Sequence, residues 1–280
     1  PADHPDYEAL LTGVIVLASL FSNCVEAFNL IHPSQRWDKQ EQLLITALGL
    51  QQARLLIWGD TVGISSPPPT VTDRAIPKHP SAAYPDLNEP TFFSARDPAL
   101  DQPDTRQKVD EALSALVERS AHTSREEMME LYGLRPPKRF TVEYQPALDG
   151  NRLESFRERH ELLKEVAESY AHLNTRRNSS IVASTWAVSD YAKFADFIKL
   201  TQEKVDYLIE LTDSQERVDR AMCMDIRALG WHLSADRARV AHDRSKLILV
   251  LEYSRQEYPQ YVDAVNIALR NIERERQENA

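Results

Sequence analysis

The residues able to bind a metal or act in acid–base catalysis are scattered along this chain rather than clustered. The sequence holds eight histidines, and none has a second histidine or a cysteine at metal-ligand spacing: His4, His32, His79, His122, His160, His172, His232 and His242. His160 precedes Glu161 and His242 precedes Asp243, but adjacent residues do not face each other on a helix. No metal site is therefore predicted.

Motifs for covalent catalysis and for phosphate binding do not occur in the sequence either. There is no nucleophile elbow and no Walker or dinucleotide-binding pattern, and seven glycines leave few loops in which backbone N–H groups could surround a phosphate. The four tryptophans and ten tyrosines fit core packing better than an aromatic ligand site. We therefore expect a protein that is not an enzyme and that needs no cofactor.

The composition favours an all-α protein. A chain of 280 residues, 42% of them hydrophobic, can bury a large core, and its few glycines and modest β-branched content argue against dinucleotide-binding and all-β folds. A net charge of −10 gives no attraction to nucleic-acid phosphates, so no nucleic-acid partner is expected. Cys24 and Cys223 are interpreted as core residues of a protein in a reducing, cytoplasmic compartment.

The most unusual stretch lies near the N-terminus. Residues 9–25, ALLTGVIVLASLFSNCV, contain no charged side chain, and the apolar character continues past Glu26 to Ile31. As a helix, residues 9–31 would be about 34 Å long, close to the thickness of a bilayer's hydrocarbon core. Two interpretations stay open: a central helix that the bundle surrounds, or a helix stored in the bundle that can enter a membrane. A cleaved signal peptide fits poorly, because residues 1–8 are acidic and lack Lys and Arg.

The remaining chain shows helical spacing of apolar residues. Asp38 is the predicted N-cap of a second helix that runs to about Trp58, with Gly59 as its left-handed C-terminal residue. Further helices are predicted over residues 104–119, 124–133, 151–174, 179–188, 191–209, 212–230, 234–258 and from Pro259 onwards. Only residues 141–150, TVEYQPALDG, have the pattern of an extended segment or short strand.

Proline content defines the organisation of the domain. Residues 63–103 contain nine of the sixteen prolines and no apolar period, which indicates a long loop. We expect it to be inserted in one bundle rather than to link two domains, because the first two helices cannot hide their apolar faces alone. The prediction is one bundle of about eight to nine helices over residues 1–270, followed by a charged and frayed tail at 271–280.

Residues 10–62 and 184–211 form two blocks that together resemble the HeLo domain, the globular part of the fungal HET-s/HET-S incompatibility proteins. The first, residues 10–62, has an apolar helix ending in LFSNCVEAF and a second helix containing QQARLLIWG. The second, residues 184–211, reads STWAVSDYAKFADFIKLTQEKVDYLIEL. The residues that carry the resemblance in the first block are Leu20, Phe21, Asn23, Cys24, Val25, Glu26, Phe28, Leu43, Gln51, Ala53, Arg54, Leu55, Trp58 and Gly59.

This resemblance implies a helical bundle that executes cell death. In HeLo proteins the N-terminal helix is expelled on activation and inserts into the plasma membrane, where the oligomer makes the membrane permeable. Transferred to this sequence, the inserting helix comprises Leu10, Leu11, Val14, Ile15, Val16, Leu17, Leu20 and Phe21, with Glu26 near its far end. The implied partners are further copies of the chain, membrane lipids, and an amyloid-type or receptor-type activator.

The chain also departs from the best-known HeLo proteins. Its proline-rich segment is longer than expected, and its C-terminal pattern is helical and charged rather than a prion-forming tail with paired repeats. The trigger of activation therefore stays open. A second function is compatible with the same residues: a non-toxic helical module that binds or inhibits a related HeLo protein, with the apolar helix kept permanently in the core.

Overall fold

A computed structural model describes residues 4–34, 37–65, 96–117, 127, 130–136, 148, 151–158, 186–229 and 237–278. It confirms the all-α class: helices dominate, and a small three-stranded sheet joins them. The helices are α1 (His4–Asn29), α2 (Lys39–Val62), α3 (Pro103–Val117), α4 (151–158), α5 (Tyr191–Leu211), α6 (Gln215–Ala228), α7 (Arg237–Glu257) and α8 (Val262–Glu278).

The second helix begins where the sequence predicts and ends later. Asp38 is its N-cap, and the Asp38 carboxylate accepts a hydrogen bond from the Glu41 N–H at 3.0 Å. The predicted stop at Gly59 is wrong, because α2 continues to Val62 and Gly59 lies within it. Gly63, with φ 79°, is the left-handed residue that ends the helix. The helix extends because Val62 is itself buried in the core.

The central helix of the bundle is α2. Every residue from Ile45 to Gly59 is buried, and α1, α5, α6 and α7 all pack against this helix. The interpretation of residues 9–31 as the wholly surrounded helix is therefore wrong, because Ser19, Asn23 and Glu26 of α1 are only half-buried. The more hydrophobic helix, α1, is thus not the more buried one. The less hydrophobic α2 is central because its polar side chains form hydrogen bonds inside the bundle.

Three short strands close one end of the bundle. Strand β1 (Ile31–His32) pairs in parallel with β3 (Trp186–Val188), and β2 (Leu134–Arg135) pairs antiparallel with the other edge of β3. The Trp186 N–H donates to the Leu30 carbonyl at 2.7 Å. The predicted helix over residues 179–188 is therefore wrong at its end. The expectation that only residues 141–150 could be extended is also wrong, and that segment lies outside the described residues except for Leu148.

Several helix ends depend on local capping. Asp190 is the N-cap of α5, and its carboxylate accepts from the Lys193 N–H at 3.1 Å. The predicted helix start at Thr212 is wrong: Ser214 is the N-cap of α6, and the Thr212 hydroxyl donates to the Leu208 carbonyl at 2.9 Å. The oxygen of the same hydroxyl accepts from Trp58 Nε1 at 3.0 Å.

The two ends of the proline-rich segment are described, while residues 66–95 lie outside the described part of the chain. A 3-10 turn over Pro98–Asp101 leads directly into α3. At the C-terminus a 3-10 turn over Pro259–Tyr261 precedes α8, close to the predicted start at Pro259. The last helix runs to Glu278 with Ile272 buried, so residues 271–278 are helical rather than frayed.

Candidate functional site

The residues predicted to insert into a membrane lie on α1, and those that the structure describes are directed into the core. Val14, Leu17, Leu20 and Phe21 are at most 6% exposed. The side chains of Leu10, Leu11, Ile15 and Val16 lie outside the described part of the structure. Burial of each large apolar side chain stabilises the docked helix by about 1.5–3 kcal/mol. The apolar stripe of α1 is thus a docking surface in this state.

Phe21 is the centre of the contact between α1 and the rest of the bundle. Its ring lies 6.1 Å from that of Trp58 and 5.8 Å from that of Phe156, with the second pair edge to face. Gly59 leaves space for this ring, because a Cβ atom at that position would lie 2.7 Å from Phe21 Cε2. Trp58 is itself held by a hydrogen bond from its Nε1 to the Thr212 hydroxyl at 3.0 Å.

Polar contacts fasten the second half of α1. The Gln52 side-chain amide donates to the Val25 carbonyl and to Asn29 Oδ1, both at 3.0 Å. The Cys24 thiol donates to the Leu113 carbonyl on α3 at 3.3 Å. Each of these bonds contributes about 0.5–1.5 kcal/mol, so α1 is fixed to both α2 and α3 in a defined register.

The charged end of α1 contacts α4. Arg157 donates to the two carboxylate oxygens of Glu26, at 3.0 and 3.3 Å, and Asn29 donates to the same carboxylate at 3.3 Å. Both side chains of the ion pair are about 40% exposed, so the pair contributes only about 0.2–1 kcal/mol. One turn earlier, Arg152 forms ion pairs with Asp60 and Asp225.

A buried arginine joins the C-terminal half of the chain to α2. Arg54 is 1% exposed and donates to Tyr258 Oη at 2.7 Å, to Tyr261 Oη at 3.2 Å and to Gln51 Oε1 at 3.4 Å. Its charge is balanced by Asp206 on α5, and the guanidinium also lies 4.4 Å from the centre of the Tyr258 ring. Gln51 donates to Tyr258 as well.

Arg54, Tyr258 and Tyr261 shift one another's pKa values. Burial raises the pKa of Tyr258 and of Tyr261, and the positive charge of Arg54 opposes that rise without cancelling it. Burial acts to lower the pKa of Arg54, but Tyr261, Tyr258 and Asp206 outweigh it, and the pKa is raised. The arginine therefore stays charged inside the bundle, and both tyrosines stay protonated at neutral pH.

A second polar cluster lies beside the N-terminus of α2. Glu41 is fully buried, and its carboxylate accepts from the backbone and hydroxyl of Ser34 and from the Tyr191 hydroxyl at 3.3 Å. Tyr191 also donates to Asp38 at 2.9 Å. Loss of solvent contact, followed by the hydrogen bond to Asp38, raises the pKa of Tyr191 to about 12. The cluster connects the loop after β1 to α5.

Sequence reasoning missed both polar clusters. A signal existed for the first, since Gln51, Gln52 and Arg54 stand between the apolar residues of α2, and two tyrosines stand three residues apart at 258 and 261. Among the described residues no group of three His, Cys, Asp or Glu side chains is placed to hold a metal ion. Within the same residues, no helix combines the length and apolarity needed to cross a bilayer.

The arrangement defines a class of protein: a helical bundle with a polar, hydrogen-bonded centre and an apolar N-terminal helix docked on one side of it. The sequence matches the HeLo family, described as prion-inhibition and propagation, over residues 9–248. The chain belongs to this family, as the resemblance predicted.

The chain is similar to the HET-s N-terminal domain, with 15% sequence identity over 91% of this chain and 98% of that one and a TM-score of 0.44. A double mutant of the same domain gives 14% identity over 89% and 96% of the two chains, again with a TM-score of 0.44. No curated protein matches the sequence.

Proposed function

We propose that this protein is a membrane-permeabilising cell-death effector of the heterokaryon-incompatibility type. On activation α1 leaves the bundle, inserts into the membrane and assembles with α1 of other copies. One observation carries the proposal: α1 packs beside the central helix α2 instead of forming the centre, so its departure leaves the contacts of α2 with α5, α6 and α7 in place. Membership of the HeLo family supports it.

The energetics of transfer are compatible with this role. The apolar residues of α1 lose their contacts with the bundle and regain an apolar environment in lipid. Glu26 would cost a few kcal/mol at the bilayer centre and much less at the interface, where the far end of the helix would lie. Gly13, Ser19, Ser22 and Asn23 lower the hydrophobicity of a single helix, but small residues let helices approach closely. Insertion is therefore expected to require oligomers.

The proposal also covers the location and partners of the protein. The resting protein is placed in the cytoplasm and the active oligomer at the plasma membrane, with an amyloid-type or receptor-type partner as activator. The effect on the membrane is physical, and the protein acts without catalysis, metal or cofactor. Specific lipids are left open, because a net charge of −10 offers no general attraction to anionic headgroups.

Dye release from liposomes tests the proposal directly. The full chain is compared with a chain lacking residues 1–31 and with Leu17→Lys, and each protein is first checked for helical content and a cooperative melt. Release by the full chain alone is the expected result. Absence of release from the full chain, even after forced oligomerisation through a fused oligomeric tag, would overturn it.

A non-toxic interaction module is the second candidate. The close fit between Phe21 and Gly59 favours it, since a side chain held this tightly suits a helix that stays permanently in the core. The two functions differ in whether residues 9–31 become protected by lipid. Hydrogen exchange with and without vesicles distinguishes them, because only the effector gains lipid-dependent protection in α1.

A further inference from the structure

The described residues of α4, 151–158, make two unequal contacts with the bundle. Near the start of the helix, Arg152 donates to Asp225 through Nε at 2.5 Å and Nη2 at 3.0 Å, and to Asp60 through Nη1 at 2.6 Å. The side chains of Arg152 and Asp225 are 24% and 14% exposed. A bidentate pair at this burial is among the stronger ionic contacts, so this end of α4 is fixed to α2 and α6.

The later part of α4 contacts α1 instead. Phe156, one turn after Arg152, presents its edge to the Phe21 ring at 5.8 Å and 86°. Arg157 pairs with Glu26, with both side chains about 40% exposed. An ion pair of this exposure is weak, and water can replace it at little cost. The ionic contact of α4 with α1 is thus weaker than its ionic contact with α2 and α6.

From this asymmetry we propose that α4 is a clip that restrains α1 in its docked position. The clip is held on the bundle by Arg152, and its Phe156 and Arg157 close over α1 at Phe21 and Glu26. Opening the weak end raises the fraction of molecules in which α1 is undocked, while the rest of the bundle persists. The consequence for membranes rests on the proposed function, but the restraint itself does not.

The buried thiol of Cys24 can report the undocking of α1. Cys24 lies on α1, is fully buried, and is next to Leu113 of α3. The second of the two cysteines, Cys223, is half-buried on α6. A Cys223→Ser background therefore leaves one thiol, and its rate of reaction with a thiol reagent under native conditions measures how often α1 leaves α3.

Three variants in this background test the clip. Arg157→Glu places two carboxylates against each other at the open end, Glu26→Arg with Arg157→Glu restores an ion pair with reversed charges, and Arg220→Glu is the matched control. Arg220 pairs with Glu216 on α6 and is 69% exposed, so the control makes the same charge change away from α1. Arg157→Gln is the milder variant if the reversal disturbs folding.

We expect Arg157→Glu to react about three- to tenfold faster than the background protein, which is the range for replacing a weak attraction by a repulsion. The charge-swapped pair should return close to the background rate, and Arg220→Glu should not differ from it. The increase in thiol reaction rate must exceed the increase in the globally unfolded population, which is calculated from the free energy of unfolding in a urea titration. A rate equal to background, a swap that does not restore it, or a rise explained by global unfolding would each contradict the clip.

Dye release from vesicles by the same variants separates this proposal from the proposed function. Faster thiol reaction together with faster release is expected when both are correct. Faster thiol reaction without release from any variant would keep the clip and reject the membrane effector. Unchanged thiol reaction rejects the clip whatever the vesicles show.

Discussion

The Phe21 ring of α1 occupies the space in which a side chain at position 59 of α2 would stand. A Cβ atom at Gly59 would overlap Phe21 Cζ and lie 2.7 Å from Cε2 and 2.9 Å from Cε1. Phe21 is fully buried and contacts the Trp58 ring as well. The absent side chain at position 59 therefore sets how closely the apolar helix approaches the central one.

Gly59→Ala should destabilise the protein although alanine is the better helix former. The helical preference of alanine favours the variant by about 1 kcal/mol, while overpacking against an aromatic ring costs about 1–3 kcal/mol. We expect a lower free energy of unfolding in a urea titration. Phe21→Leu combined with Gly59→Ala should recover part of the loss, and an unchanged midpoint for the single variant would show that the ring adapts freely.

Leu17→Lys should both weaken the fold and abolish membrane activity. Leu17 is 2% exposed, and an unpaired ammonium at such a site costs roughly 3–5 kcal/mol. A thermal melt measures the first effect, and dye release below the melting temperature measures the second. Met224→Lys, at a 62% exposed position of α6, is the control for added charge. Release by folded Leu17→Lys would argue against insertion of α1.

Removal of Asp206 should cost more than removal of Arg54. Asp206→Ala leaves a buried guanidinium without its carboxylate, at a cost of about 2–4 kcal/mol given that Asp206 is 45% exposed. Arg54→Met leaves a carboxylate that water can reach, and we expect a loss of about 1 kcal/mol. The double variant should lose less than the sum of both. Additive losses in urea titrations would contradict the coupling.

Alkaline pH should unfold the protein through its buried tyrosines. Burial raises the pKa of Tyr253 to about 12, and it also raises the pKa values of Tyr258 and Tyr261 above their ordinary value near 10. The folded state therefore holds protons that the unfolded state releases above about pH 10. Their contribution to stability is complete below pH 10 and is lost as the pH rises through the folded pKa values.

The corresponding measurement is the free energy of unfolding by urea at about pH 9 and about pH 11. We expect a clear fall between the two, and a smaller fall in Tyr258→Phe because one shifted group is removed. Equal stability at both pH values would show that these hydroxyls are not protected from ionisation in the folded protein.

Glu41→Gln should be destabilising where the same change on the surface is neutral. Glu41 is fully buried and accepts from Ser34 and Tyr191, and a charged acceptor lost from such a site costs about 1–3 kcal/mol. Glu252→Gln is the matched control, because Glu252 forms an ion pair with Lys39 that is 40% and 72% exposed. A similar melting temperature for both variants would contradict a structural role for the Glu41 carboxylate.

Residue patterns within single helices were sufficient to predict the all-α fold class and the positions of many of the helices. The cap at Asp38 was predictable because an N-cap needs only a side-chain acceptor within three residues of the N–H that it satisfies. The apolar run of α1 identified the helix that later proved to carry the family resemblance. These features depend on residues close together in the chain.

The structure alone decided which helix is central, where the strands form and how the polar groups pair. Strand β1 pairs with β3, whose residues lie far along the chain, and a strand of two or three residues has no period of its own to read. Arg54 is tolerated at the centre only because Asp206, Tyr258 and Tyr261 converge on it from other helices.

In the candidate site, too, some features follow from local sequence and others from contacts between distant residues. The sequence by itself determined that the uncharged stretch over residues 9–25 must be buried or inserted, since water cannot solvate its apolar side chains at low cost. Its position beside α2, the space at Gly59 and the clip formed by α4 depend on contacts between distant residues. Such contacts arise only when the tertiary fold brings those surfaces together, and no local pattern in the chain encodes them.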